Sequence, residues 1–422
     1  MRPFMFGLVL VAVAFGLRLG FTLAYRGDLN TPPIRAVAGA DPVEYDLFAR
    51  QLAAGKGYTW EDGSASSFRA PGFPIVLAIV YAILGQSYPV AYVFLAVCGG
   101  IGAVAAYLLG RELRGEAFGR LVGGLAAVYP PDIYSCSYCF SEVVFAPCLG
   151  AGLWLLVRYI RSESRWAILG AGILLGYAAL TRSFAVLLLP VFVVYLSSNH
   201  RQPRWFLGVV LFAAGFLAVV LPWTARNYLV FDRFVLIATN GGSTFYGANN
   251  DVVTEHPWQY GNWVSTTRLP GRDLIDAQPD EVSHDKKEWE LGIDWVRHHP
   301  LKFVLLAPFK VVRFWLPFVH WPSLKVYPVA NILFTAPFLL VITIGMLRTI
   351  ATSEGRRQFA VLHLTMLANI VMVVIFWGDP RFRDANMPVL MVYAAVGGLW
   401  LVDRTRNFYQ RRTTMIPTLT AN

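Results

Sequence analysis

Of the 422 residues, 56% are hydrophobic and only 15% are charged, where soluble domains run nearer a quarter charged. The balance excludes an ordinary soluble domain and predicts an all-α polytopic membrane protein. A net charge of +10 would suit nucleic acid, but the basic residues fall in short gaps between apolar runs, as the positive-inside rule expects. Nucleic acid is therefore excluded as a partner, and membrane lipid takes its place.

The first apolar run, 3–25, follows Arg2 like a signal peptide, yet further runs follow, so it reads as an uncleaved first helix with Arg18 inside it. A charge at that depth faces the bundle interior or a wet cavity, or else snorkels to the interface. The loop 26–74 follows. Its stretch from Gly39 to Pro74 concentrates Asp41, Glu44, Asp46, Glu61 and Asp62 with Arg50, Lys56 and Arg69, far more polar chemistry than a connector needs. Loops on a rigid scaffold are where function sits, so this one is the active-site candidate.

The apolar run 75–84 is too short to span ~20 residues of bilayer and is expected along the membrane surface. Spans are expected at 89–109, 121–128 and 141–157, then at 167–180 and 185–196 hinged on Thr181-Arg182-Ser183, and at 206–221. The links holding Arg111, Arg158 and Arg201 share one side, the cytoplasmic one by their charge. A long polar segment, 223–300, is helical near 280–299, and 301–318 carries Lys302, Lys310 and Arg313, like an interfacial amphipathic helix. Runs at 326–347, 359–377 and 387–402 complete a bundle of about ten helices. The sides agree only if 301–318 does not cross, which leaves both termini inside. Three regions result: an N-terminal transmembrane catalytic module, 1–222, including the outer loop 26–74; an outer region, 223–325, with its interfacial helix; and C-terminal helices with a cytoplasmic tail, 326–422. Of the four cysteines, Cys136 and Cys139 have redox spacing without a second pair for zinc, and read as small apolar residues at the mouth of a helix.

This topology collects Asp41, Glu44, Asp132 and Glu142 with Arg69, Arg182, Arg226, Arg381 and Arg383 on the outer face. A carboxylate suits proton removal from an attacking hydroxyl, and arginine forks suit phosphate oxygens. Carboxylate and phosphate together can also hold a divalent cation, Mg or Mn, with Asp41 and Glu142 as its ligands, although no spacing demands one. Each residue has a second reading. Asp41-Pro42-Val43-Glu44 is a helix start, with Asp41 as N-cap and Glu44 completing the box. Glu142 is favourable charge in a first turn, Arg226 an interfacial anchor, and Asp384 a partner that takes Arg381 or Arg383 out of the chemistry.

In order, these residues resemble the GT-C membrane glycosyltransferases, above all the bacterial relatives of protein O-mannosyltransferases and lipid A aminoarabinose transferases. The first-loop pattern is Asp41 with Tyr45, Gly55-Lys-Gly57 and Arg69-Ala-Pro-Gly-Phe-Pro74. Tyr129-Pro-Pro131 with Ser141-Glu142, Leu180-Thr-Arg182 and Pro222-Trp-Thr-Ala-Arg-Asn227 follow, then Asn240-Gly-Gly242, Gly247-Ala-Asn-Asn250 and Arg381-Phe-Arg383 before Pro388. The resemblance implies a GT-C-like bundle of about ten transmembrane helices in a bacterial cytoplasmic membrane, with the site facing the periplasm or cell exterior. It implies inverting transfer from a polyprenyl-phosphate sugar to a hydroxyl on a lipid, glycan or protein acceptor. Asp41 takes the family's base position and Glu142 the second acidic one, which positions the acceptor or a metal. Arg69 and Arg226 map to the phosphate-holding positions; Tyr45, Glu44, Arg182, Asn250, Arg381 and Arg383 complete the expected substrate site. Two departures stand out: Pro42 follows Asp41 where many members have an acidic pair, and Ala70 replaces a Lys found in some. The alternative is a transporter or flippase of lipid-linked sugars, but such proteins place ionisable groups near the midplane, and here they gather at one face.

Overall fold

The computed structural model describes residues 2–31, 41–198, 205–317 and 327–415. The expected basic link at Arg201, the start of the polar stretch at Gly39 and the tail beyond 415 lie outside them. The protein is all-α, and its extended backbone among the described residues amounts to one isolated bridge between Thr59 and Ala65. In chain order the helices are α1 (Pro3–Arg26), α2 (Asp41–Ala53), α3 (Gly72–Leu84), α4 (Tyr88–Arg114), α5 (Glu116–Ala127), α6 (Pro130–Ser135), α7 (Glu142–Ser162) and α8 (Arg165–Thr181). A 3-10 turn, Ser183–Leu187, leads into α9 (Leu188–Ser198). Then come α10 (Trp205–Phe231), α11 (Gly241–Ala248), α12 (Glu281–His298), α13 (Pro300–Phe314), α14 (Tyr327–Ala351), α15 (Ala360–Ile375), α16 (Pro380–Asp384) and α17 (Met387–Met415).

Six of these are long and apolar enough to cross a membrane: α1, α4, α7, α10, α14 and α17. The other expected spans fall on α5, α8, α9 and α15, which run 12, 17, 11 and 16 residues. Each is shorter than the ~20 residues a full crossing takes. The surface run became α3, of 13 residues.

Apolar faces drive the packing. α8 lies along α10, α4 against α5 and α7, and α14 against α17. Where these backbones approach most closely the chain uses glycine: a methyl group at Gly172 would collide with the Phe212 carbonyl of α10, the small-residue contact typical of membrane helices. Arg18 does not snorkel. It is fully buried and bonds Asp132 on α6 through Nε at 3.0 Å, with the Ala14 and Ala127 carbonyls at 3.0 Å completing its shell. Asp132 is thereby withdrawn from the outer-face chemistry. A buried charge left unpaired would be strongly destabilising, so this pair fixes α1 against α6.

The helix ends sort as the charge pattern expects. At one end Arg161 and Gln358 both donate to the Leu113 carbonyl, and Arg158 lies 3.9 Å from Glu112. The opposite end holds α2, the start of α7, the end of α8 and α16. There the segment after α10 folds back over the bundle. Asp280 caps α12 by accepting from Ser283 N at 2.9 Å, and Glu281 accepts from Trp60, Ser66 and Ser67 of the first loop. The first loop and α12 are thus held together above the bundle.

Candidate active site

Three local features bring the charged residues into one place. Asp41 and Glu44 sit in the first turn of α2. Arg69 is delivered by the Arg69-Ala-Pro-Gly turn, which presses on the end of α8. Gly72 is required there, since a methyl group would meet Thr181, and Tyr177 donates to the Gly72 carbonyl at 2.7 Å. Arg381 stands in the first turn of α16, where Asp379 accepts from its backbone N–H at 2.8 Å. This Asp-Pro start at Asp379-Pro380 has the same form as Asp41-Pro42, but sequence reasoning applied it only to the latter.

The side chains form one ion network. Arg69 bonds Asp41 at 2.9 Å and Glu44 at 2.6 Å. Arg381 bonds Asp41 at 3.3 Å and Glu142 at 2.9 Å, and Arg182 bonds Glu142 at 2.7 Å. Arg381 also lies 3.9 Å above the Phe140 ring. The expected cap pair instead serves the network: Asp41 and Glu44 spend their carboxylates on guanidiniums. Burial alone would raise the Asp41 carboxyl, but Arg69, Arg381 and Arg182 outweigh it and hold it below the ordinary carboxylate value. Burial pushes Asp379 the other way, above its ordinary value. Arg182 keeps its Nε buried with no partner among the described residues.

The network borders a cavity of about 990 Å³. Asp41, Glu44, Tyr45, Arg69, Arg182 and Arg381 line it. Tyr45 packs edge-on against Phe73, with its centroid 5.4 Å away. Sequence reasoning missed other lining residues, Trp263, Trp377 and the α12 residues His284, Asp285 and Glu288. The only signal was the helical stretch near 280–299, read for its period and not for its facing carboxylates.

Four expected site residues stand apart from the cavity lining: Glu142, held behind it by Arg182 and Arg381, and three more. Arg226 donates to the Ser66 carbonyl at 2.8 Å and the Tyr58 carbonyl at 3.2 Å, and lies over the Trp223 ring. It is a strut between α10 and the first loop. Asn250 is buried and bonds Tyr246 and Val253 of its own segment. Arg383 is fully buried on Asp384 at 2.8 Å and on the Leu316 carbonyl at 2.6 Å. Asp384 therefore takes out Arg383 and leaves Arg381 free for the network. Cys136 and Cys139 are free thiols, both buried.

A divalent cation bound here would draw on Asp41 and Glu142, the two carboxylates that Arg381 joins. Both carboxylates are neutralised by guanidiniums within 3.3 Å, and among the described residues no three His, Cys, Asp or Glu side chains group as ligands.

Residues 68–225 match the family described as dolichyl-phosphate-mannose-protein mannosyltransferase. No curated protein matches the chain. Among solved structures it is similar to the archaeal oligosaccharyltransferase AglB from Archaeoglobus fulgidus in complex with an inhibitory peptide and a dolichol-phosphate, at 15% identity and a TM-score of 0.56 over 98% of this chain and 52% of that one. The same oligosaccharyltransferase in complex with Zn and sulfate gives 16% identity and a TM-score of 0.58, over 95% and 49%. ArnT from Cupriavidus metallidurans bound to undecaprenyl phosphate is similar at 16% identity with a TM-score of 0.45, over 94% and 77%. The chain spans about half the length of the oligosaccharyltransferases it matches. It therefore has the fold of the GT-C membrane glycosyltransferases, and over residues 68–225 its sequence matches the mannosyltransferase family.

Proposed function

We propose that the chain is a membrane glycosyltransferase that moves a sugar from a polyprenyl-phosphate-linked donor to an acceptor hydroxyl on the outer face of a bacterial cytoplasmic membrane. The observation that carries this is the setting of Asp41. Its side chain is 31% exposed at the cavity wall, while Glu142, two bonds along the same network, is 5% exposed. Asp41 is the carboxylate an incoming hydroxyl can reach. The dolichol-phosphate held by the oligosaccharyltransferase of the same fold supports a lipid-phosphate donor.

In the proposed reaction the acceptor oxygen attacks the anomeric carbon on the face opposite the phosphate. A new C–O bond forms as the bond to the phosphate oxygen breaks, so the configuration inverts. The hydroxyl proton passes to Asp41, and the electron pair leaves on the phosphate oxygen of polyprenyl phosphate. The cavity-facing edges of Arg69, Arg182 and Arg381 stabilise the charge growing there. Glu142 holds Arg182 and Arg381 in place. Acceptor recognition belongs to the segment after α10.

The test is Asp41→Asn, which preserves shape but cannot accept the proton. Transfer of radiolabelled sugar from a polyprenyl-phosphate donor to membrane acceptors should fall ~10²-fold or more, with polyprenyl-phosphate affinity within a few-fold of wild type. Wild-type turnover in this variant would remove Asp41 as the base.

A further inference from the structure

The cavity has two chemically distinct halves, and the ion network accounts for only one. The other half is walled by α12 and the segments beside it, and several of its polar groups have unused hydrogen-bonding capacity. Glu288 is 7% exposed; one oxygen accepts from Thr266 at 2.7 Å, and the other has no hydrogen-bond partner among the described residues. The Asn240 side chain and the Trp377 indole N–H also have none there, and both line the cavity. Asp285 accepts from Gly242 N at 2.6 Å. Trp263 and Trp377 lie with ring centroids 6.3 Å apart, and Trp377 packs on Phe382, next to Arg381. The aromatic wall thus runs continuously from one half to the other.

Donors and acceptors spaced around an aromatic face match the chemistry of a sugar ring, which offers hydroxyls at its edge and an apolar C–H face. We propose that the wall formed by Asn240, Trp263, His284, Asp285, Glu288 and Trp377 is a binding site for an uncharged sugar ring. This rests on the glycosyltransferase reading for its place in a reaction but not for its binding chemistry. The guanidinium half is the natural place for an anionic ring. Burial raises Glu288 and pushes Asp285 up to about 7, so this wall carries less charge than two free carboxylates and suits an uncharged ring. The ring belongs either to the lipid-linked donor or to a glycan acceptor.

The experiment uses the full chain in nanodiscs and saturation-transfer NMR with neutral methyl hexosides, the matching methyl uronates and 2-amino hexosides. Neutral hexosides should bind best, and Asn240→Ala and Trp377→Phe should each weaken them at least tenfold. Asn240→Ala removes a side chain with no hydrogen-bond partner among the described residues, and Trp377→Phe keeps an aromatic ring against Phe382. No transfer from any neutral hexoside, equal or tighter binding of uronates or amino sugars, or unchanged affinity in both variants would overturn the proposal. Polyprenyl phosphate binding, measured in parallel, reports on the transferase reading separately, since its loss from the wild type would sink that reading while leaving the sugar site standing. If the variants weaken a polyprenyl-phosphate hexose but not polyprenyl phosphate, the ring is the donor's. If they weaken only free hexoside added to the lipid-phosphate complex, it is the acceptor's.

Discussion

Arg381 joins the two carboxylates that sequence reasoning chose for catalysis, reaching Asp41 and Glu142 at 3.3 and 2.9 Å. Its charge is one of those that overcome the burial penalty on Asp41 and keep that carboxylate ionised below its ordinary range. The acid limb of a pH–rate profile governed by Asp41 should therefore lie below the ~3.9 of a free aspartate. In Arg381→Gln the burial of Asp41 stays and one guanidinium is lost, so the Asp41 carboxyl rises and the acid limb moves toward neutral pH. The measurement is kcat/KM against pH for both proteins. A limb that stays put in the variant would count against Asp41 as the base. The carboxylates were legible in the sequence because an outer loop so rich in them needs a reason. Their partners were not legible: Asp41 and Arg381 are 340 positions apart, and no local pattern spans that distance.

At the scale of elements, α13 shows how the outer segment is locked onto the bundle. Its Lys310 is fully buried with no carboxylate partner among the described residues, donating to Asn249 Oδ1 at 2.8 Å and to the Val374 carbonyl at 3.1 Å in the last turn of α15. A cation at a helix C-terminus is favourable, and the link it holds leads directly to Trp377, Asp379 and Arg381. Burial lowers the Lys310 ammonium to about 7, against ~10.4 in an unfolded chain. Between those values the unfolded state binds more protons than the folded one, so stability rises with pH across that window. Lys310→Met has no such group. The wild-type melting temperature should climb relative to the variant from pH 7 to 9.5, and parallel curves would show that Lys310 does not titrate there. The helical start at Asp41-Pro42 teaches the complementary lesson. Local chemistry placed the helix, but tertiary partners took the side chains that would have capped it.

For the whole molecule, the sorting of helix ends makes a topological prediction. Glu281 ties α12 to Trp60, Ser66 and Ser67, so the first loop and α12 share a face. Arg158 and Arg161 gather with Leu113 and Glu112 at the other end. Single cysteines replacing the exposed Ser64 and Glu290 should react with an impermeant thiol reagent in intact cells. A cysteine at the exposed Arg158 should react only after permeabilisation. Any other pattern would break the assignment of the cavity to the outer face.

What the sequence determined by itself follows from short-range physics. Runs of apolar residues must leave water and satisfy their own backbone, so they are helices. Basic residues between them mark one side, and a polar loop crowded with carboxylates marks the other. That was enough to place Asp41, Glu44, Arg69, Glu142, Arg182 and Arg381 on one face. The tertiary structure alone decided which of the outer-face charges meet. A guanidinium announces that it needs a partner without saying which, so Arg226 and Arg383 looked equivalent to Arg69 and Arg381. Folding gave the first two to carbonyls and to Asp384, and the last two to the carboxylates at the cavity. Likewise α12 has ordinary helical composition, and only its placement at the same cavity as Asp41 turns its carboxyls into the lining of a site.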